Sequence, residues 1–355
     1  ENKKKAIAPF VGKLTSDVFS TVISEENKLY NEASNIDENG EPTNEAFIKM
    51  QDKQDLHELI ALAYSEELNY NYYAIRSLMP QDGEKFYERR TEKINRILDM
   101  DYADGNYTEK EKQKINEMNE SLKTPFYYEF FDGWTGMLSF TYSINVTVAI
   151  LVLILLAPIF SGEYQQGSDS ILLTTRKGHE KLGIAKITVS FLCASAVFVI
   201  GYAINFLSNI ILNGVTGWNC PVQLQLLNSV YNLNMLQTYL LCMAVGYVAV
   251  MSVAAVTVLL SAKLKSPFLT IIASALIFFV PMAIPHSRYL KFINYGVSMF
   301  PINIMDTSVS LRTYKFIDFF GILTPLFVLA TILLVMVVLI CIPFSVYSYK
   351  HHQVN

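Results

Sequence analysis

Four stretches of this chain contain no charged residue, at 133–162, 187–262, 266–287 and 319–349. Each exceeds the roughly 20 residues that an apolar helix needs to cross a bilayer, which excludes a soluble enzyme. The run 187–262 is too long for one helix, and it is broken between Asn213 and Asn232 by Gly214, Gly217, Pro221 and several Asn. It therefore reads as a hairpin of two spans. Five transmembrane helices are expected, near 137–160, 187–212, 236–261, 266–286 and 319–345, and the fold class is an all-α integral membrane protein.

Basic residues orient these spans, because Lys and Arg in short loops favour the cytoplasm. Arg176, Lys177, Lys181 and Lys186 fall between the first and second spans, Lys263 and Lys265 between the third and fourth, and Lys350 after the fifth. All three segments lie on one side. Arg288, Lys291, Arg312 and Lys315 lie on the other with two Asp, so the bias is uneven. This topology puts residues 1–132 outside the cell. Glu1 to Lys5 is no signal peptide, so an external amino terminus implies one preceding span and six in all.

Charge divides the chain sharply. Of 28 Lys and Arg and 32 Asp and Glu, residues 1–132 hold 17 and 27, a net −10, while the remainder carries +6. The acidic piece reads as an extracellular helical domain: Phe10–Ala33, Asn44–Leu78, Glu84–Met100 and Thr108–Leu122 show apolar residues at helical spacing. Breaks rich in Asp, Asn, Gly and Pro separate them. Thr108 and Glu111 have the spacing of a capping box. This piece has no cysteine; Cys193, Cys242 and Cys341 lie in spans and Cys220 in an outer loop. Such avoidance fits the plasma membrane of a Gram-positive bacterium. Tyr127, Tyr128, Phe130, Phe131 and Trp134 precede the first charge-free run and are expected to form an aromatic belt at the membrane interface. Packing of the outer piece against its own stalk is the competing explanation.

Several chemical motifs are incomplete. His57-Glu58-Leu59-Ile60-Ala61 begins as a zinc-protease HExxH, but Ala61 stands where the second His is required, so a surface helix is expected there. Asp99, Asp101, Asp104, Gly105 and Glu111 resemble a calcium loop, yet Met100 and Tyr102 fall at positions that need oxygen ligands. A helix-turn-helix corner is the simpler reading. Gly178 to Gly183 has the gap of a phosphate-binding loop, but Ile184-Ala185 follows in place of Lys-Ser or Lys-Thr. The chain is thus expected to be no enzyme and to bind no metal or cofactor itself. Its spans lack central Asp, Glu, Lys, Arg and His, which ion-coupled carriers use. Asn145, Thr147, Asn205, Asn209 and Gln237 are expected to join helices by hydrogen bonds.

A pump without a motor needs one that docks from the cytoplasm, and the loop 161–187 is the largest cytoplasmic segment. Gly167 and Ser168 can end one element and cap the next, and Asp169 suits a helix N-terminus. Ile171, Leu172 and Leu173 supply a short apolar face, closed by Arg176 and Lys177, which fits a groove on a partner. A helix resting on lipid headgroups is the alternative. Glu163 is expected to pair with Arg176 or Lys177.

On Pro158-Ile159-Phe160-Ser161-Gly162-Glu163-Tyr164, Gly167-Ser168, Leu172-Leu173-Thr174, Arg176-Lys177 and Lys186, the chain resembles the permease subunits of type-two ABC exporters. The likeness covers roughly residues 133–349 and extends to Pro285–Lys315, amphipathic and interrupted by Gly296 and Pro301, where that family places short re-entrant helices. It implies that Ser168–Arg176 is a coupling helix contacting cytoplasmic ABC ATPase subunits, which bind ATP and magnesium. It also implies a second permease, the same or different, and transport by alternating access. Lys177-Gly178 departs from the family, which often has a proline there, and the external piece is far larger than in its smallest members. A peptide or amphiphile is the expected cargo, and no nucleic-acid partner is expected. The alternative is a surface binding or sensing protein that uses its acidic ectodomain and is merely anchored by its spans.

Overall fold

The computed structural model describes residues 2–32, 35, 43–67, 69–168, 170, 181–285, 287 and 290–352. The chain is mostly helical. It divides into two compact units. Unit 1 comprises Glu1–Gly136, Leu212–Thr238 and Leu311–Tyr314, and unit 2 comprises Met137–Ile211, Tyr239–Ser310 and Lys315–Asn355.

Unit 1 contains α1 (Asn2–Ile7), α2 (Ser16–Asn31), α3 (Asn44–Gln51), α4 (Gln54–Tyr64), α5 (Phe86–Asp99) and α6 (Glu109–Glu120). Short strands β1 (Gly12–Lys13) and β2 (Tyr127–Tyr128) pair antiparallel. The long helix expected at Asn44–Leu78 is divided into α3, α4 and a 3-10 turn at Tyr72–Ser77, and a second 3-10 turn, Pro80–Lys85, follows it. The latter turn presses on α2 so closely that a Cβ on Gly83 would fall 2.3 Å from the Ser20 amide nitrogen. Phe19 stacks on Phe86 in a core that also buries Val22, Ile23, Leu59 and Ile94. The capping box forms: Thr108 N donates to a Glu111 carboxylate oxygen at 2.8 Å, and Glu111 N donates to Thr108 Oγ1 at 3.2 Å.

Arg90 ties α5 to the 212–238 segment. Its guanidinium donates to the carbonyls of Leu227 and Ser229 at 2.8 Å each and to Asn119 Oδ1 at 2.5 Å. Burial lowers its pKa to about 10, which leaves it charged at neutral pH, satisfied by neutral oxygens.

The apolar helices begin with α7 (Asp132–Ser139), α8 (Thr141–Leu156) and α9 (Pro158–Gln166), which run together as one 35-residue stretch. Then come α10 (Gly183–Asn213), α11 (Met235–Lys263) and α12 (Pro267–Ala283). Next are the short α13 (Lys291–Ser298), α14 (Pro301–Ile304) and α15 (Thr307–Arg312), followed by a hairpin of β3 (Phe316–Phe319) and β4 (Ile322–Pro325) and by α16 (Leu326–Lys350). The hairpin of two spans is present as α10 and α11, ending and restarting at the Gly, Pro and Asn break.

Among the described residues, four stretches of 18 or more residues are apolar enough to cross a membrane, Asp132–Gln166, Gly183–Asn213, Met235–Lys263 and Leu326–Lys350, and one shorter apolar helix accompanies them. The fourth expected span, 266–286, is α12, whose 17 residues extend about 26 Å, the short end of the range for a helix that crosses a bilayer. It stops at Ala283 because Ile284 precedes Pro285, and a residue before proline disfavours helical backbone. The last span begins at Leu326 rather than 319. The apolar residues before it pair as β3 and β4 around Phe320 and Gly321, whose φ angles of 51° and 86° suit a tight hairpin turn. Gly296, expected to interrupt the 285–315 segment, lies inside α13, whereas Pro301 does open a new helix.

Candidate functional site

The segment that carries the resemblance is anchored by α9. Pro158 opens that helix and supplies no backbone donor, and a side chain enters the ladder beside it. Ser261 Oγ, from α11, accepts from the amides of Phe160 at 3.0 Å and Ser161 at 3.1 Å and donates to the Ala157 carbonyl at 2.6 Å. Both serines are fully buried. The joint between α8 and α9 is thus bonded to the end of α11.

Gly167 ends α9 as expected, in the left-handed conformation with φ 70°. Its amide donates to the Tyr164 carbonyl at 3.3 Å, and the Ser168 amide donates to the Glu163 carbonyl at 3.1 Å. Such a cap satisfies carbonyls that the last turn leaves open, and glycine adopts it without a Cβ penalty. Asp169, Leu172, Leu173, Arg176 and Lys177 lie outside the described residues.

The expected pairing of Glu163 with Arg176 or Lys177 lies outside the described residues. Among the described residues, Glu163 forms an ion pair with Lys186, near the start of α10. Lys186 also donates to the Ile159 carbonyl at 2.8 Å and stands 5.1 Å from the centre of the Phe160 ring. One ammonium therefore holds the beginning of α10 against α9 through an ion pair, a hydrogen bond and a ring face. Both partners are mostly buried, and the second Glu163 oxygen has no partner among the described residues. The end of α16 joins them. Tyr349 packs 4.8 Å from Phe160, and a Cβ on Gly183 would meet its ring at 2.8 Å. His352 stacks on Tyr164 at 3.8 Å. Gly167, which ends α9, and Gly183, which begins α10, thus both adjoin a packed cluster of α9, α10, α11 and α16.

The five expected belt aromatics divide. Tyr127 is exposed and Phe130 half-buried, with the Lys4 ammonium 4.4 Å from its ring centre. Tyr128, Phe131 and Trp134 are buried in unit 1, and Trp134 Nε1 donates to the Val215 carbonyl at 3.1 Å. Those three rings serve internal packing.

His57 lies in a core helix rather than a surface one. Its Nδ1 is 2.7 Å from a Glu26 carboxylate oxygen and its Nε2 is 2.8 Å from the Tyr72 carbonyl, with the imidazole wholly buried. Asp99 pairs with Lys112, Asp101 accepts from Asn106, and Glu111 caps α6, so the acidic corner's carboxylates are used within the fold. Among the described residues, no group of three or more His, Cys, Asp or Glu could hold a metal ion.

In unit 2 the amide side chains do join elements. Asn145 Nδ2 donates to the Met305 carbonyl at 3.2 Å, and Tyr202 OH donates to Asn145 Oδ1 at 2.9 Å. Asn205 Nδ2 donates to the Met137 carbonyl at 3.1 Å, whereas Asn209 Nδ2 donates to the Asn205 carbonyl at 2.9 Å within α10 and joins no second helix by that bond. Lys186, Ser261 and Tyr202 were not singled out for these roles. A lone Lys entering an apolar run was the one available signal, because such a cation requires a partner.

In comparisons with known proteins, no family model, no characterised protein and no solved structure matches the chain.

Proposed function

We propose that this chain is the membrane-spanning permease subunit of an ATP-driven exporter of the type-two ABC kind, in a bacterial plasma membrane. The observation that carries this reading is the Lys186 anchorage: Glu163, Ile159 and Phe160 hold the far end of the 167–182 segment to its near end. A loop mounted at both ends on packed helices transmits a push instead of absorbing it. The four long apolar stretches exceed what anchoring one domain requires.

On this reading the 167–182 segment faces the cytoplasm and Leu172 and Leu173 enter a groove on an ABC ATPase. The partner binds ATP with magnesium, and its closure moves α9 and α10 together. Two permeases, identical or different, then rock about a shared interface to expose the site alternately to each side. The cargo is a peptide or amphiphile, and unit 1 stands outside the cell. An anchored binding protein is the rival; it draws on the net −10 of residues 1–132.

Replacement of Leu172 and Leu173 together by Asp separates the two. Each leucine buried in a groove contributes about 1.5–3 kcal/mol, so the double variant loses the copurifying ATPase while its spans stay inserted. Retention of both the ATPase and cargo movement at the unmodified level would sink the coupling assignment.

A further inference from the structure

Within unit 2, the β3–β4 hairpin runs into α16 with no residue between them and carries an exposed apolar tip. Its base is closed: Phe316 is buried, and the Leu326 amide donates to the Lys315 carbonyl at 2.9 Å. The tip is open. Phe319 is 53% exposed, Phe320 93% and Ile322 70%. The two phenyl rings stand edge to face, 4.8 Å apart. Asp318 Oδ1 accepts from the Gly321 amide at 2.8 Å, so the turn is fixed from within.

Phe320 is a poor residue for the turn it occupies. A two-residue hairpin loop with both φ angles positive favours Asn, Asp or Gly at its first position, because a Cβ there crowds the following carbonyl. Phe320 nevertheless holds a φ of 51°, and its exposed ring gains almost no packing from this chain in return. Strain kept at an exposed aromatic residue points to a use outside the fold.

What meets the ring follows from the level at which the hairpin stands. Across a hydrocarbon core of roughly 30 Å, the about 26 Å of α12 leaves one boundary to the residues that follow Ala283. Among them are α13 and α14; Leu290, Phe292 and Phe300 are exposed there, and α14 packs on both α12 and α16. Lys315 Nζ donates at 2.9 Å to Ser298 Oγ, at the end of α13, which ties the hairpin base to this boundary layer. The tip is one short strand away, about 13 Å. From the tip through α16, the chain then runs without a charged residue to Tyr349. We infer that the β3–β4 hairpin is a lipid anchor: Phe319, Phe320 and Ile322 enter the boundary between headgroups and acyl chains in the leaflet where α16 begins, a layer that favours aromatic rings. The inference requires the spans to lie in a bilayer, and it does not rest on the transport reading.

The test uses the full chain in nanodiscs of phosphatidylcholine and phosphatidylglycerol, with a nitroxide on Ile322→Cys and Cys193→Ala removing the one exposed cysteine. Electron paramagnetic resonance reads its collisions with oxygen, which concentrates among acyl chains, and with a water-soluble nickel chelate. Oxygen is expected to dominate at Ile322→Cys, as at Ile332→Cys on the exposed face of α16, and nickel at Glu109→Cys in unit 1. Phe320→Asn suits the turn better, so it should keep the melting temperature while it shifts the Ile322→Cys label several-fold toward nickel. Phe320→Trp should keep the preference for oxygen. A label open to nickel in the protein that retains Phe320 places the tip in water, and a label shielded from both reagents places it against a second copy or another protein. Either result overturns the anchor, as does a collision ratio that Phe320→Asn leaves unchanged.

Discussion

Asn145 occupies the space that a side chain at Gly246 would need: a Cβ on Gly246 falls 2.3 Å from Asn145 Oδ1. The same oxygen accepts from Tyr202, and the amide nitrogen donates to Met305, so α8, α10 and the segment after α14 meet at one buried amide. Glycine in α11 is what admits it. Gly246→Ala should displace Asn145 and lower stability by about 1–3 kcal/mol, the usual range for overpacking. Thermal unfolding in detergent measures this, and an unchanged midpoint would show that the amide relocates freely.

The buried His57–Glu26 pair joins α4 to α2. The Tyr72 carbonyl can only accept, so Nε2 of His57 carries a hydrogen, and one further proton lies between Nδ1 and Glu26. His57→Phe removes both donors and strands the carboxylate, a loss of about 3–5 kcal/mol. Glu26→Gln keeps a donor facing Nδ1 and should lose about 1 kcal/mol. Amide hydrogen exchange in α4 should therefore accelerate far more in the first variant. Equal acceleration in both would place the energy in packing.

Asp55 gives unit 1 an unusual pH response. Lys3 Nζ donates to Asp55 Oδ1 at 2.8 Å and to Asp132 Oδ1 at 2.6 Å. Burial raises the Asp55 pKa, and Lys3 offsets only part of that rise. A carboxyl with a folded pKa above its unfolded one takes up a proton more readily when folded. Its contribution to stability therefore grows as pH falls through the folded value and shrinks as pH rises above it. Comparison of melting temperatures for the unmodified protein and Asp55→Asn across pH 3 to 7 isolates this term. The gap should favour the Asn variant more at neutral pH than in acid, and a gap that moves the other way refutes the assignment.

Local signals were legible and long-range pairings were not. The capping box needs only Thr108 and Glu111, three apart, and it forms as read. The α10 and α11 boundaries follow from Gly214, Gly217 and Pro221, because backbone restrictions act where those residues stand. The end of α12 was equally available in Ile284-Pro285, which the absence of charge overrode. Residues 319–325 misled because an apolar run is compatible with a strand as well as a helix, and only the turn at Phe320-Gly321 distinguishes them. His57 reads as a surface residue until Glu26, 31 residues away, is brought beside it. Likewise, the pairing of Glu163 with Lys186 depends on how α9 and α10 pack, which spacing alone does not reveal.

Trp134 tests how the aromatic cluster is used. Its indole is 3% exposed and bonded to Val215. With Trp218 changed to Phe, it is the chain's remaining tryptophan. Its emission should be blue-shifted and indifferent to lipids brominated near the headgroup. Strong quenching would return the ring to the membrane interface.

The Glu163–Lys186 pair controls how firmly the 167–182 segment is mounted. Were it exposed, the pair would contribute less than about 1 kcal/mol. Here the side chains retain 21% and 14% of their exposure, and removal of the ammonium alone leaves a carboxylate in a largely apolar surround. Lys186→Met should therefore release the start of α10 from α9, whereas Glu163→Gln, which leaves Lys186 bonded to Ile159, should act more weakly. Arg176, Lys177 and Lys181 make this measurable, since trypsin cuts after each. Cleavage there should accelerate several-fold in Lys186→Met relative to the unmodified protein, with little change at sites in unit 1. The reversed pair, Glu163→Lys with Lys186→Glu, restores the charge attraction but loses the Ile159 contact, and so should fall between the two. If Lys186→Met leaves cleavage of the 167–182 segment at its original rate, the mount is held by Tyr349 and Ser261 instead, and the ion pair contributes nothing to it.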